Sequence, residues 1–320
     1  MPRPRAFFAA FTGCLLLAGC GSGPSQTQTA AYVGDGTVSI DQVQQLIDKA
    51  VQEQPAAQQL AQQHKLDQLG REVVRQLVVH EEITSAARRE GLTADPVTVA
   101  QEANALDQPV SADATDPSQL PEGIVARARD HTEYATDYEL EQRLGAKYFA
   151  TMSVTFDYTT VSSDDNGPRR DQALAKAEQF AANPAAAANV VRTDAAAGLD
   201  ASLGTSLPAT QSPTFASSVL FGVPAGTVVT FQPDPSQALW VVAVIRQHTV
   251  NAAVPAGQSV QPTAGQLASI GTRLLQPDVD TAGVRINPRY GVWDPVAMDL
   301  APSAAETSGI VLPVKGFVRP

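Results

Sequence analysis

The sequence predicts an α+β fold: a helical unit, a small α+β unit, and a closing helix with an extended segment. Three observations carry this. Apolar residues recur at helical spacing through most of residues 31–150. At Ser153 the pattern changes to a β-branched and aromatic run, Val154-Thr155-Phe156-Asp157-Tyr158-Thr159-Thr160-Val161, which a helix and two further strands follow. The 320 residues suffice for two typical domains.

Tyr32-Val33-Gly34-Asp35-Gly36-Thr37-Val38 reads as a hairpin with Gly-Asp-Gly at its turn. Ser39 opens a helix, with Gln42 completing a capping-box pattern and Val43, Leu46, Ile47, Ala50 and Val51 forming one apolar stripe. A longer helix spans 65–90 and stops at Gly91, with Leu66, Leu69, Val73, Leu77 and Ile83 on its buried face. Asp95-Pro96 starts another through Leu106. Residues 107–122 carry Pro109, Pro117 and Pro121 and read as a loop; a helix follows over 124–150, with a break near His131-Thr132. This completes the helical unit, 31–150.

The second unit spans 151–250. After the strand at Ser153 come a helix over 171–182 and a stretch at Asn189-Val190-Val191 that fits a helical turn or a strand edge. A loop rich in Ala, Gly and Ser runs to Pro213. A short helix at 215–221, a turn at Pro224-Ala225-Gly226 and strands at 227–231 and 239–245 complete it. Residues 252–262 form a linker. The closing segment, 262–300, holds a helix over 264–275 and an extended piece over 284–293, turning at Asn287-Pro288 and Gly291. Residues 301–320 read as a loosely ordered tail.

The N-terminus supplies an address. Arg3 and Arg5 precede an apolar run from residue 6 to 17, which ends in Leu17-Ala18-Gly19-Cys20. A basic head, an apolar segment and small residues before a cut site are the parts of a secretory signal peptide, here residues 1–19. Kept as an anchor, the run would be too short for the ~20 residues that span a bilayer. The cysteine after the small pair resembles a bacterial lipobox, which implies lipidation of Cys20 and tethering outside the cytoplasmic membrane. Residues 20–30 are then a flexible leash. Cys14 leaves with the signal, so the mature chain keeps one thiol, consumed by lipid, and forms no intramolecular disulfide.

Loss of Arg3 and Arg5 takes the net charge from −11 to −13. An acidic surface argues against nucleic acid and against basic docking on anionic lipid. Membrane attachment then rests on acyl chains.

The layout resembles the SurA/PrsA family of extracytoplasmic chaperones and foldases. The residues that carry the likeness are Ala31-Tyr32-Val33-Gly34-Asp35-Gly36-Thr37-Val38-Ser39 before a helix, and Leu203-Gly204 with Phe215 eleven residues beyond Gly204. Phe221-Gly222-Val223-Pro224-Ala225-Gly226-Thr227-Val228 and Asn287-Pro288-Arg289-Tyr290-Gly291-Val292-Trp293-Asp294 extend it. The resemblance implies a SurA N-terminal-like helical chaperone domain, a parvulin-like second domain, and a C-terminal helix and extended segment, 262–300, that return to pack on the first domain. It invites peptidyl-prolyl isomerase activity, but the sequence departs from the pattern there. The family's two site histidines fall at about Tyr158 and Trp240, its acidic-or-cysteine position at Asp194 and its apolar wall at Phe215. No histidine lies between His131 and His248. Rate in such a site comes from preferring the twisted amide over the planar one, so weak or absent isomerase activity is expected.

Other chemistries lack their residues. His80-Glu81-Glu82 begins like a zincin motif, but position 84 is Thr, which leaves a solvated helix face. No Gly-x-Ser-x-Gly elbow and no phosphate loop is present. Asp164-Asp165-Asn166-Gly167 lacks the rest of a calcium loop and reads as a turn. No cofactor and no metal is expected. The expectation is a lipid-anchored chaperone that binds unfolded or extended secreted polypeptides, weakly and broadly. The alternatives are an active prolyl isomerase and an envelope scaffold lipoprotein.

Overall fold

Gly34, at φ 55°, turns the chain between β1 (Thr29–Val33) and β2 (Gly36–Ser39) in the left-handed region that glycine enters at least cost. The computed structural model describes residues 28–110, 119–161, 169–234, 236–251 and 260–316. The signal-like segment with Cys20, the leash up to residue 27, the Asp164–Gly167 turn and residues 252–259 of the linker lie outside them.

The fold is α+β. Ser39 caps α1 (Ile40–Glu53), its hydroxyl accepting from the Gln42 amide at 3.1 Å, and α1 buries Val43, Ile47 and Ala50. α2 (Pro55–Gln62) has no counterpart among the expected elements. Its proline sits in the first turn, where no amide donor is needed, and Ala56, Ala57 and Leu60 are buried. α3 (Leu66–Glu90) ends at Gly91 with φ 65°, where the sequence stops it. It buries Leu69, Val73, Leu77 and Ile83, while Leu66 packs half-buried beside them. Asp95 caps α4 (Pro96–Ala105) by accepting from the Val97 amide at 3.0 Å.

α5 (Leu120–Ala128) begins inside the stretch read as a loop, because Pro121 occupies its first turn, a position proline tolerates. The expected break falls at Arg129 and Asp130. The Asp130 carboxylate accepts from the Glu133 amide at 2.9 Å and starts α6 (His131–Phe149).

β3 (Ser153–Val161) opens the second half, and α7 (Arg169–Ala182) and α8 (Pro184–Ala196) follow. Asn189-Val190-Val191 is thus helical. The expected loop before Pro213 is instead largely β4 (Ala201–Pro208), which pairs antiparallel with β3. Its small polar residues carry little strand signal of their own. The pairing positions it, and the amide of Gly204 (φ 65°) donates to Asp157 at 2.8 Å. The helix expected over 215–221 splits into α9 (Pro213–Ala216) and a 3-10 turn, Val219–Phe221. β5 (Thr227–Phe231) and β6 (Trp240–Thr249) follow.

α10 (Ala264–Leu274) opens on a full capping box between Thr263 and Gln266 and leads into α11 (Gln276–Ala282), a second unexpected helix. β7 (Arg285–Ile286) returns to pair with β1, and β8 (Val292–Asp294) and β9 (Asp299–Ala301) form a small ribbon. The segment read as a loosely ordered tail contains β10 (Gly309–Pro313), paired with β5 along its full length. Val314 beyond it is buried. The tail reading fails because β5 offers an edge that only this segment fills, and that need is invisible locally.

The large sheet is antiparallel with order β10-β5-β6-β3-β4. One face carries Phe156, Val229, Ala243 and Ile245 and meets Ile270 of α10 and the Val219–Phe221 turn. The other carries Val161, Val242 and Val244 beneath α7 and α8. α10 also lies along α6, so one helix touches both halves of the molecule. Among the described residues no helix is long and apolar enough to cross a membrane.

Candidate functional site

β3 sends successive side chains to opposite faces of the sheet, and this separates two of the residues singled out from the sequence. Tyr158 packs beside Phe156, rings 5.7 Å apart, and its hydroxyl donates to Asp200 at 2.7 Å. That bond, followed by burial, pushes the phenol up to about 12. Asp194, on α8, accepts from Thr159 at 2.6 Å and from the Lys176 ammonium at 2.8 Å. It pins α8 to α7 and β3 from the other face. Tyr158 and Asp194 therefore do not share a cleft.

Phe215 and Trp240 do come together. Both line a cavity of about 820 Å³ with Val219, Phe231, Pro233 and Val296. Trp240 begins β6 and is buried, whereas Phe215, on α9, is 37 % exposed. The polar wall includes Arg170, Asp234 and Glu306. Arg170 donates to the Thr307 carbonyl at 3.2 Å and hydroxyl at 3.0 Å, tying the strand-like C-terminal segment to the start of α7. Hydrogen bonds from the Ser236 hydroxyl and amide hold the Asp234 carboxyl below its usual range. An apolar lining with a few polar groups suits one or two apolar side chains of an extended peptide.

A second cavity, of about 600 Å³, is polar and lies among α3, α5, α6, α10 and residues 297–299. Arg75 donates to Glu72 through two nitrogens at 2.9 and 2.6 Å, and stands 3.7 Å from Glu122 and 4.0 Å from Asp299. Burial pushes the Glu122 and Asp299 carboxyls up, against the pull of Arg75. Glu141 on α6 is pushed up to about 8, first by burial and then by the charges of Asp137 and Glu122, against Arg75 and a hydrogen bond from Thr272. Tyr134 and Tyr138 line the same space, their rings stacked 6.5 Å apart.

His80, read from the sequence as part of a solvated face, is half-buried, and Glu82 beside it is buried. The His80 Nδ1 lies 2.9 Å from both Asp137 oxygens, and this bond raises its pKa. His80, Glu133 and Asp137 present ligand-type atoms within 4.8 Å of one another. The Arg129 guanidinium already donates to Glu133 at 2.6 Å and to Asp137 at 2.7 Å, so a metal ion there would have to displace a cation.

None of the polar-cavity carboxylates stands out in the sequence as a site. Each reads as an ordinary charge on a helix or in a turn, and only the packing of four elements collects them.

No protein-family model matches the chain, and no curated protein matches it. Among solved structures the chain is similar to the crystal structure of the foldase protein PrsA from Lactococcus lactis, with 14 % identity over 81 % of this chain and 95 % of that one, at a TM-score of 0.17.

Proposed function

We propose that this protein is a lipid-anchored extracytoplasmic chaperone of the SurA/PrsA type, which binds unfolded or extended segments of secreted polypeptides. In this reading its second half is a parvulin-like module of weak or absent isomerase activity. The observation that carries the reading is the apolar cavity, where the partly exposed Phe215 stands with Trp240, Val219 and Phe231. Burial of an apolar client side chain there supplies affinity, and the non-directional nature of apolar contact keeps it broad. The lack of any histidine between His131 and His248 supports holding over isomerisation, and the lipobox-like Leu17-Ala18-Gly19-Cys20 supports the address.

The test is suppression of aggregation of a chemically unfolded substrate by the mature protein. Wild type is expected to suppress at a several-fold molar excess. Phe215→Ala is expected to weaken binding about tenfold or more, since a buried Phe side chain contributes about 1.5–3 kcal/mol. Its melting temperature should stay near wild type, because Phe215 is partly solvent-exposed. No suppression by wild type would sink the reading, and rapid proline-limited refolding lost in Phe215→Ala would replace it with an isomerase. Attachment is tested apart: Cys20→Ala should move the protein from the membrane fraction to the soluble one and abolish palmitate labelling.

A further inference from the structure

We propose that the polar cavity among α3, α5, α6 and α10 binds an organic cation, an ammonium or guanidinium group carried on an alkyl arm. The inference goes beyond client binding at the apolar cavity and stands on different residues.

Charge is the first argument. Glu72, Glu122, Asp137, Glu141 and Asp299 line the cavity against Arg75, Arg129 and Arg273. Two of those three cations are already engaged. Arg129 is held by Glu133 and Asp137, and the Arg273 donors go to backbone carbonyls and Gln276. Arg75 alone is shared by Glu72, Glu122 and Asp299. Glu141 makes no ion pair within 4.0 Å among the described residues; it feels the charge of Arg75 on α3, which Glu72, Glu122 and Asp299 already share, and faces Asp137 on its own helix, Glu122 from α5 and Thr272 from α10. The cavity is thus short of positive charge.

A separate observation concerns Gln76. The residue is 4 % exposed and lines the cavity. Its amide nitrogen donates to Glu72 at 2.7 Å, which leaves Oε1 as a buried acceptor with no partner. A buried acceptor without a donor costs about 1–3 kcal/mol, and an N–H-bearing ligand would satisfy it. The Tyr134 ring already carries the Arg129 guanidinium at 5.7 Å, which shows that the aromatic pair attracts an organic cation, and Tyr138, stacked on Tyr134, adds a further ring. A space of about 600 Å³ exceeds what a bare metal ion needs and suits a small organic group.

Binding would be linked to protons. With its carboxyl pushed up to about 8, Glu141 is mostly protonated at neutral pH, and an incoming cation favours its ionised form. Affinity should therefore rise with pH up to about 8 and level off above, while an alkyl ammonium, with a pKa of about 10.4, stays charged. At pH 7 binding should release up to one proton.

The experiment is calorimetric titration of the full mature protein with 1,5-diaminopentane and with a blocked glycine–lysine–glycine tripeptide, against the norleucine analogue and calcium chloride. Titrations run at pH 6, 7 and 9, the pH 7 arm in two buffers of different ionisation heat to count protons. A saturable signal from the diamine or the lysine peptide, with proton release at pH 7 and several-fold tighter binding at pH 9 than at pH 6, supports the proposal. Which probe binds separates a free amine from a side chain on a polypeptide. Glu141→Gln keeps the side-chain shape and should weaken binding about tenfold and remove the proton release. The proton count on wild type decides the matter if that variant folds poorly. No signal from either amine at about 10 mM, a site weaker than any useful affinity, overturns the proposal. So does binding of calcium or the norleucine peptide in preference to the amines, or binding untouched in a folded Glu141→Gln.

Discussion

Replacing Gly271 with alanine is expected to destabilise the protein by about 3 kcal/mol, the upper part of the usual range for overpacking. In an exposed helix the same change would stabilise by about 1 kcal/mol, so the sign itself is diagnostic. A Cβ on Gly271 would fall inside van der Waals distance of the Glu141 carbonyl oxygen, and one on Gly145 would meet the Leu267 carbonyl in the same way. Each glycine thus sits against the backbone of the opposite helix, and backbone cannot rotate away as a side chain can. α6 and α10 must separate to admit the methyl group. Ile270, fully buried in the core beneath the sheet, would be drawn out with α10. Gly265, six residues nearer the start of α10, is the control. Its Cβ would lie 3.8 Å from the Tyr138 hydroxyl, an ordinary contact, so Gly265→Ala should leave stability nearly unchanged. Urea denaturation of the three proteins checks this. A Gly271→Ala protein as stable as wild type would show that the helices are not packed backbone to backbone.

What was legible in the sequence was what local chemistry determines. Ser39 and Asp95 start their helices through a side-chain oxygen within a few residues, and Gly91 ends one through its own φ. The expectation of an α+β chain with a strand opening at Ser153 rests on such signals. What was not legible depends on distant partners. β4 and β10 are weak strands alone and exist as edges of β3 and β5. α5 was hidden by Pro121, which looks like a breaker but occupies a first turn.

The site divides along the same line. Family likeness singled out Phe215 and Trp240, and the two line one cavity. It also proposed Tyr158 and Asp194 as their neighbours, and the alternation of β3 puts those two on opposite faces of the sheet. The polar cavity could not have been assembled in advance, since Glu72, Glu122, Glu141 and Asp299 belong to separate segments of the chain. A pKa raised to about 8 is a property of the fold; Glu141 alone is an ordinary glutamate.

Arg273→Met should cost about 3–5 kcal/mol, from several buried acceptors left unpaired at about 1–3 kcal/mol each and partly relaxed. Arg273 is 6 % exposed, and burial pulls its guanidinium down to about 10, still charged at neutral pH. Its Nε donates to the Ser217 carbonyl at 3.0 Å, Nη1 to Gln276 at 2.7 Å and Nη2 to the Val296 carbonyl at 2.8 Å. One side chain therefore fixes three segments: the residues after α9, the start of α11 and the turn between β8 and β9. Methionine matches the length and apolar volume but offers no donor. Lysine keeps the charge without the planar fork, so Arg273→Lys should fall between the two. Phe215 stands two residues before Ser217 and shares its cavity with Val296, so the arginine also sets the walls where a client would bind. Arg273→Met should then lose both thermal stability and aggregation suppression, whereas Phe215→Ala loses only the second. If Arg273→Met unfolds early yet suppresses aggregation as well as wild type at a temperature where it remains folded, the apolar cavity is not the surface that holds clients.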